Sequence, residues 1–524
     1  MTRQKSERGI VPKGRRKTVP TEVAQPRGGK AAPVEQRSPQ LRLWDETAED
    51  RSAPEAPRAA DEAEEHPRPP ATLAAPKSSH TKEPAAAATM AAVIARLDQA
   101  FQKVASNKGA PGPDRKDVET VRAHWPEVRA ELSRSLTDGS YQPGMIRRVW
   151  IPKASGGQRG LGIPNVVDRV VQEAVRLELN PLYEPTFHAS SHGFREGRSC
   201  HTAIAQAQQY VEDGYEFVVD IDLEKFFDRV PHQRLMATLA RRLNDRSVLV
   251  LISLMLRARV VLPDGVVVSN AEGVPQGGPL SPLLSNIVLD ELDRELQERG
   301  HRFVRYADDC NIFVRSERAG KRVMASVVRF IEGRLGLKVN LAKSAVARPE
   351  ERHFLGFRLR REPLDGRVEV LASKRTRERL GETIREKTPR NWGGSLSACI
   401  TLLNVYLTGW MGFFGVCTDG IRYLLRGTDA HIRRRLRALQ LKDWKRKLTM
   451  ARKLIALGVK RKTAWLRLYE GRKSLWALSH TSAVERGLRN AYFAKRGLWK
   501  RRGEGIIAPV QLRLALGRWD RRGR

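Results

Sequence analysis

Cysteine is scarce in this chain of 524 residues: Cys200, Cys310, Cys399 and Cys417 are all there are, and no two form a C-x-x-C pair. That scatter argues against a disulfide framework and against a cysteine-based structural zinc site, so reduced thiols in packed positions are expected. Long apolar runs are missing too. No run reaches the length of a bilayer span, and Met1 to Ile10 has no apolar signal core, which leads us to expect a soluble, cytoplasmic protein without a membrane partner. The largest shortage is of acid: 59 Asp and Glu stand against 95 Lys and Arg, for a net charge of +36. Charge of that size drives counterion release from a phosphate backbone, so nucleic acid is the expected partner. An anionic membrane surface and a merely solvated charge excess are the competing readings. The length allows several domains with sizeable cores, and no internal repeat is visible.

From Met1 to about Thr89 the chain is rich in Pro, Ala, Glu, Arg and Ser, with almost no aromatic residue beyond Trp44. Such a composition buries too little surface to offset chain entropy, and residues 1–89 are expected to be a disordered basic extension. Helical spacing begins with Val93, Ile94, Leu97 and Phe101. A second helical pattern runs from Val118 to Leu136, and Arg147 to Lys153 reads as a strand carrying basic residues. Gly156-Gly157 turns the chain back toward Arg159. Lys153 and Arg159 on such a hairpin suit a triphosphate clamp, and equally an ordinary basic hairpin. Asn165 opens an amphipathic helix with Val167, Val170, Val171, Ala174 and Val175 on its core face. The loop after it carries Arg195 and Arg198, candidates for holding template or incoming phosphate.

Acids collect at two places. Phe217 to Leu223 alternates, with Phe217, Val219, Ile221 and Leu223 on one face and Asp220 and Asp222 on the other. A carboxylate on a buried strand is costly unless it is paired or bound to metal, which favours a metal site over an exposed edge. Further on, Arg305-Tyr306-Ala307-Asp308-Asp309 lies between Phe303-Val304 and Ile312-Phe313-Val314, the pattern of strand, tight turn and strand. Two adjacent carboxylates at a hairpin tip repel, and they persist most readily beside a cation. A divalent metal site is the leading reading there, an acidic turn facing water the alternative.

Between the two acidic stretches, Gly273 to Pro279 is a tight glycine loop whose Gln276 can approach a nucleotide. Ser281-Pro282 reads as a helix start with Ser281 as N-cap, and the helix ends at Gly300. Val323 to Leu335 reads as a helix, Leu337 to Leu341 as a short strand with Lys343 beyond it, and Phe354 to Phe357 as an apolar turn. From about Leu371 the pattern becomes helices dense in Arg and Lys, among them Arg433-Arg434-Arg435 and Lys445-Arg446-Lys447, interleaved with Trp410, Trp444, Trp465, Trp476 and Trp499. Basic residues beside aromatics suit structured RNA, while helical spacing also lets most of these tryptophans be core.

Taken together, these motifs resemble the proteins encoded by bacterial group II introns, which join a reverse transcriptase to an RNA-splicing maturase. The resemblance covers roughly Ala91 to Trp499. It rests on VDIDLEKFFD (Val219 to Asp228), GVPQGGPLSP (Gly273 to Pro282), YADD (Tyr306 to Asp309), GLKVN (Gly336 to Asn340) and FLGF (Phe354 to Phe357), in that order. It implies an α+β right-hand polymerase, with fingers and palm built on antiparallel sheet over 90–370, then an all-helical thumb or maturase domain over 371–480. A basic nucleic-acid-binding tail over 481–524 would come after it.

Position by position, the resemblance makes Asp222, Asp308 and Asp309 the catalytic residues and the ligands of two Mg²⁺ ions, with Asp220 beside the site and not in it. It sets Phe227 against the sugar 2′-carbon, with Phe226 as the fallback. Lys153 and Arg159 would hold the triphosphate, Gln276 would lie beside the incoming nucleotide, Lys343 near the active site, and Phe354 to Phe357 at the primer. Arg195, Arg198, Arg433, Arg434, Arg435, Lys445 and Lys447 are the nucleic-acid-binding candidates.

The implied function is RNA-directed DNA synthesis together with splicing and mobility (retrohoming) of the parent intron. The implied partners are group II intron RNA, RNA template, DNA primer, target DNA and dNTPs. The rivals are a non-catalytic RNA-binding splicing factor and a reverse transcriptase recruited to defence or diversification. Three departures stand out. Gly160 replaces a usual proline, and His192 a usual tyrosine. The stretch after Trp499 lacks the His/Cys spacing of a zinc endonuclease domain, so the primer is expected from elsewhere.

Overall fold

The computed structural model describes residues 88–152, 156–363, 365–418, 420–471 and 473–498. The N-terminal extension expected to be disordered, Lys153, Trp499 and the basic residues after it lie outside them. Ten strands form three sheets among the described residues: β1 (Ile146–Pro152), β2 (Gln158–Ile163), β3 (Phe217–Ile221), β4 (Val260–Val261), β5 (Val267–Val268), β6 (Arg302–Tyr306), β7 (Asp309–Val314), β8 (Ala345–Ala347), β9 (Phe357–Arg361) and β10 (Val368–Ala372).

The palm sheet has the order β6-β7-β3-β8, and every neighbouring pair is antiparallel. The fingers sheet has the order β2-β1-β4-β5. Its β1–β2 hairpin is antiparallel, but β1 also pairs in parallel with β4 through Ile146 and Val260, so this sheet is mixed. A third sheet is the β9–β10 hairpin.

Both faces of the palm sheet are covered. Val219, Ile221, Phe303 and Ile312 belong to one core, shared with the helices Val166–Tyr183 and Ser281–Glu298. Val218, Val304 and Phe313 belong to a second core, shared with the Cys200–Glu212 helix, β9, β10 and the C-terminal helices. The polar face expected from the alternation in β3 is therefore not a solvent face. Acids on it need partners, because a buried unpaired carboxylate is expensive.

After β10 the fold is helical: Lys374–Lys387, Leu396–Phe414, Gly420–Trp444, Lys447–Ala456, Arg461–Tyr469 and three shorter helices ending with Asn490–Ala494. Of the stretch expected as a tail from 481, residues 481–498 are described, and they pack on the helical domain. Ala483, Val484, Leu488, Phe493 and Leu498 are buried in the same core as Leu403, Leu407, Ile432 and Leu436. Leu396–Phe414 is, against expectation, long and apolar enough by length and composition to cross a membrane. Here its Cys399, Ile400, Leu403, Leu407, Trp410 and Met411 are buried in the helical core.

Three local expectations change for identifiable reasons. Val118 to Leu136 is two helices, broken at His124 ahead of Pro126. Ser281 is not the N-cap: Leu280 holds that position, and the Ser281 hydroxyl donates to the Pro275 carbonyl (2.7 Å), tying the helix to the glycine loop. Leu337 to Leu341 forms no strand and makes only an isolated bridge from Val339 to Leu223, while the edge strand of the palm is β8, a few residues later.

Candidate active site

The register of the palm sheet brings the acids together. β3 pairs with β7 so that Ile221 faces Cys310. Extending that antiparallel register by one residue sets Asp222 opposite Asp309, and directly opposed residues share a face. Tyr306 pairs with Asp309, which leaves Ala307-Asp308 as the two-residue turn between β6 and β7. Ala307 takes φ 57°, the left-handed region that favours glycine, at a cost on the order of 1 kcal/mol.

This strained turn is held from beneath. Arg305, with no exposed surface, donates from Nη1 to the Ala307 carbonyl (2.9 Å) and to Asn286 Oδ1 (3.0 Å). Its Nε and Nη2 meet both carboxylate oxygens of Asp293 (2.7 and 2.5 Å), and Nη2 also donates to Ser191 Oγ (2.7 Å). Gly193 packs so closely on the turn that a Cβ there would lie 2.2 Å from the Ala307 nitrogen. The sequence displays the arginine before the acids but says nothing of its partner, which lies a helix away.

The segment carrying Asp222 is held by backbone pairing with the Gly336 to Asn340 stretch. Asn340 N–H donates to the Asp222 carbonyl (2.8 Å), Glu224 N–H donates to the Lys338 carbonyl (2.8 Å), and Asp222 N–H donates to Ser344 Oγ (3.0 Å). Lys343 Nζ lies 3.5 Å from Asp222 Oδ2 and is largely exposed, so this pair adds little stability alone. Asp220 is already engaged: Arg352 holds its Oδ2 through Nε (2.9 Å) and Nη2 (2.5 Å), which keeps it beside the site.

The electrostatics bear the marks of crowded acid. Burial pushes the Asp308 carboxyl above its ordinary range, its own backbone N–H and Arg159 draw it back, and Asp222 raises it further. Asp309 is pushed up to about 7, first by desolvation in the cleft and then by Asp308, Asp220 and Asp222. The residue keeps exposed surface, so the charges of the three neighbouring acids act on it beside water. Among the described residues, no three acidic, His or Cys side chains are grouped so that they could together hold a metal ion. The donor chemistry nevertheless fits a hard divalent cation, which takes one or two carboxylates and completes its shell with water and phosphate oxygens.

Opposite the acids stands the glycine loop. Val274 N–H donates to the Phe227 carbonyl (2.6 Å), and Gly162 N–H in β2 donates to the Gln276 carbonyl (2.6 Å), so the loop bridges palm and fingers. Gly277 has φ 127°, and a Cβ on it would lie 2.3 Å from the Gly162 oxygen, which only glycine tolerates. The two phenylalanines divide their work. Phe226 is buried at 3% exposure in the core, whereas Phe227, edge-on to it at 5.2 Å, lines the cleft.

A cleft of about 860 Å³ is lined by Asp222, Asp308, Arg159, Phe227, Gln276 and Lys343, six of the eight residues assigned to catalysis or nucleotide binding. Asp309 adjoins it through the turn, and Lys153 lies outside the described residues. Arg148, given no role from sequence, also lines it, near Asp228 (3.8 Å). A second hollow of about 540 Å³ shares Arg159, Phe227, Gln276 and Asp308 and adds the exposed ring of Phe194.

The nucleic-acid candidates fare differently. Arg195 is nearly buried: its guanidinium binds the Glu184 carboxylate (2.8 Å) and the carbonyls of His188, Ser191 and Glu184. Arg435 is buried and donates from Nε and Nη2 to Thr388 and the Arg385 carbonyl. In both, guanidinium donors expected for nucleic acid are engaged by oxygens inside the fold. Arg198 donates to the Ala189 carbonyl (2.5 Å) at the loop surface, and Arg433 to Asn490 (3.3 Å). Arg434 stacks on Trp476, Lys445 is exposed, and Lys447 lies over Tyr469. Trp410 and Trp444 are core, as the helical spacing allowed, but Trp465 and Trp476 are partly exposed.

Residues 151–359 match the family model for reverse transcriptase (RNA-dependent DNA polymerase), and residues 377–455 match that for the group II intron maturase-specific domain. Protein YkfC of Escherichia coli (strain K12) is 32% identical over 345 residues, 58% of this chain and 88% of that protein. The chain belongs to the group II intron reverse transcriptase/maturase family. Group II intron-encoded protein LtrA of Lactococcus lactis subsp. cremoris is 39% identical over 196 residues, 37% of this chain. The match spans only 32% of LtrA, and 38% of the putative COX1/OXI3 intron 2 protein of Saccharomyces cerevisiae, which is 29% identical over 51% of this chain. Among solved structures, a chain of a Cas6-RT-Cas1–Cas2 complex is 24% identical over 46% of this chain and 42% of its own, with a TM-score of 0.31. A likeness that weak supports no functional statement.

Proposed function

We propose that this group II intron reverse transcriptase extends a DNA primer on an RNA template with two Mg²⁺ ions held by Asp222, Asp308 and Asp309, and that its helical domain binds the parent intron RNA to promote splicing and mobility. The observation that carries the catalytic part is the single cleft in which Asp222, Asp308, Arg159, Phe227, Gln276 and Lys343 meet. Bound there, the metal ions would activate the primer 3′-hydroxyl and neutralise the leaving pyrophosphate. Arg159, which already draws on the charge of Asp308, would hold the triphosphate on the fingers side. The Phe227 ring restricts the space at the sugar 2′-carbon. Gln276, fixed through its carbonyl to β2, keeps its side chain at the nucleotide. Lys343 offers a positive charge next to Asp222.

The RNA-binding part is supported by the maturase-domain match and by the cations of the helical domain. Mg²⁺-dependent extension of a DNA primer on an RNA template, by the wild type and by Asp308→Ala, tests the proposal together with the affinity of both for structured RNA. Extension by the wild type alone, with RNA affinity retained in both, is expected. Extension by neither, with tight RNA binding by both, would leave a splicing factor on an inactive polymerase scaffold.

A further inference from the structure

One cavity lies well apart from the polymerase cleft, in the helical domain. It has a volume of about 230 Å³ and lies between the Gly420–Trp444 helix, the stretch after the Lys374–Lys387 helix and the short helix Leu475–Leu478. Leu439, Ala438 and Leu475 give it an apolar floor, and Trp476 and the exposed Arg390 stand at its sides. The volume is below the roughly 300–1,000 Å³ of a drug-sized site and suits one flat ring system.

Among the described residues, the charged side chains lining this cavity are all cationic: Arg390, Arg435 and Lys442. Arg434 lies over the Trp476 ring at 4.0 Å and Arg390 at 5.7 Å. His431 meets the same ring edge-on at 6.3 Å, and both His431 Nε2 and Arg434 Nε are buried without a hydrogen-bond partner among the described residues. The charged groups that act on Arg435 are Arg390, Arg385 and the Cys399 thiol, and those on His431 are Arg435, Arg385 and Arg434. No carboxylate is among the main charged groups acting on either, and Asp443, on the same helix, acts instead on Lys442 and Cys399. Crowded cations in excess of counter-charge raise the energy of the free protein, and a polyanion relieves that strain. Guanidinium planes and an indole around an apolar hollow are also what an unstacked nucleobase requires.

We infer that this cavity is a receptor for a single unpaired nucleotide of structured RNA, its base entering beside Trp476 and its flanking phosphates meeting Arg390 and Arg434. The inference rests on the RNA-binding reading of the helical domain and adds to it a place where RNA shape is read, since a bulged nucleotide fits and a continuous helix does not. Phosphate contacts to the remaining cations give affinity without this discrimination.

The test uses the full chain and two RNA hairpins identical except that one carries a single bulged 2-aminopurine. Wild type should bind the bulged hairpin about tenfold more tightly than the flush one, the scale of one stacked base, and the probe's fluorescence should report the base in an altered stack. Trp476→Ala should erase the preference and Trp476→Phe should keep most of it. Arg390→Ser, at an exposed position, should lower the slope of log affinity against log salt by about 1. Equal affinity of the wild type for both hairpins overturns the inference while leaving RNA binding in place, and so does a preference that survives Trp476→Ala. Binding of neither hairpin removes the RNA-binding reading itself.

Discussion

Asp293→Ala separates the two roles of the buried pair beneath the catalytic turn. Arg305 and Asp293 are both fully buried, and four of the five hydrogen bonds of that guanidinium go to side chains, two of them to Asp293. Removing one partner of such a pair leaves an uncompensated charge, at about 3–5 kcal/mol. At roughly 2–4 °C per kcal/mol for a domain of this order, the melting temperature should fall by about 6–20 °C. Replacing both residues, as in Arg305→Met with Asp293→Leu, removes the charge and should recover most of that loss. It cannot recover the bond to the Ala307 carbonyl. The double variant should therefore melt near the wild type yet extend primers with a reduced kcat and a raised Mg²⁺ requirement, the KM for dNTP changing less. A thermal melt and steady-state primer extension across Mg²⁺ concentrations read both quantities. Wild-type kcat in the double variant would refute the positioning role of Arg305, and a fall of less than about 1 kcal/mol in Asp293→Ala would refute the energetic reasoning.

Phe227→Ala should admit ribonucleotides, measured as the ratio of rNTP to dNTP incorporation, whereas Phe226→Ala should instead cost about 3–5 kcal/mol of stability because that ring is core. An unchanged ratio in Phe227→Ala would remove Phe227 from nucleotide selection. The raised pKa of Asp309 makes the metal-free folded state bind a proton more tightly than the unfolded chain between the ordinary carboxylate value and about 7. Stability without metal should then decline as pH rises through that window, and the decline should shrink in Asp309→Asn and on adding Mg²⁺, as melts at several pH values will show. Gly277→Ala should weaken dNTP binding and stability together, since its Cβ would collide with the Gly162 carbonyl; a variant with wild-type KM would mean the loop can shift without consequence.

Legibility in the sequence differs by element. The alternation of β3 and the apolar flanks of the Asp308-Asp309 turn were legible, because a strand's period is local and the register then comes with it. The faces were not. Val218 and Phe313 are buried against helices far along the chain, so the polar side of β3 is interior and Asp220 needs Arg352. Leu337 to Leu341 alternates like a strand but has only Leu223 to pair with, and the ladder edge goes to Ala345–Ala347. Arginine was the least readable residue. Arg195, Arg305 and Arg435 look like any basic residue in sequence, and only tertiary carbonyls and acids reveal them as interior. The cleft residues Arg159, Phe227, Gln276 and Lys343 were singled out through ordered motifs, not through spacing, since they come from separate segments.

The metal-site assignment is tested most sharply by comparing Asp222→Asn with Asp220→Asn in Mg²⁺-dependent primer extension. The two acids are two residues apart, yet one lines the cleft and the other is bound to Arg352. Asp222→Asn should lose several kcal/mol of transition-state stabilisation, on the order of a thousandfold in rate, while Asp220→Asn should stay within about tenfold of the wild type. A reversed order, or equal losses in both, would contradict the placing of the metal ions on Asp222, Asp308 and Asp309.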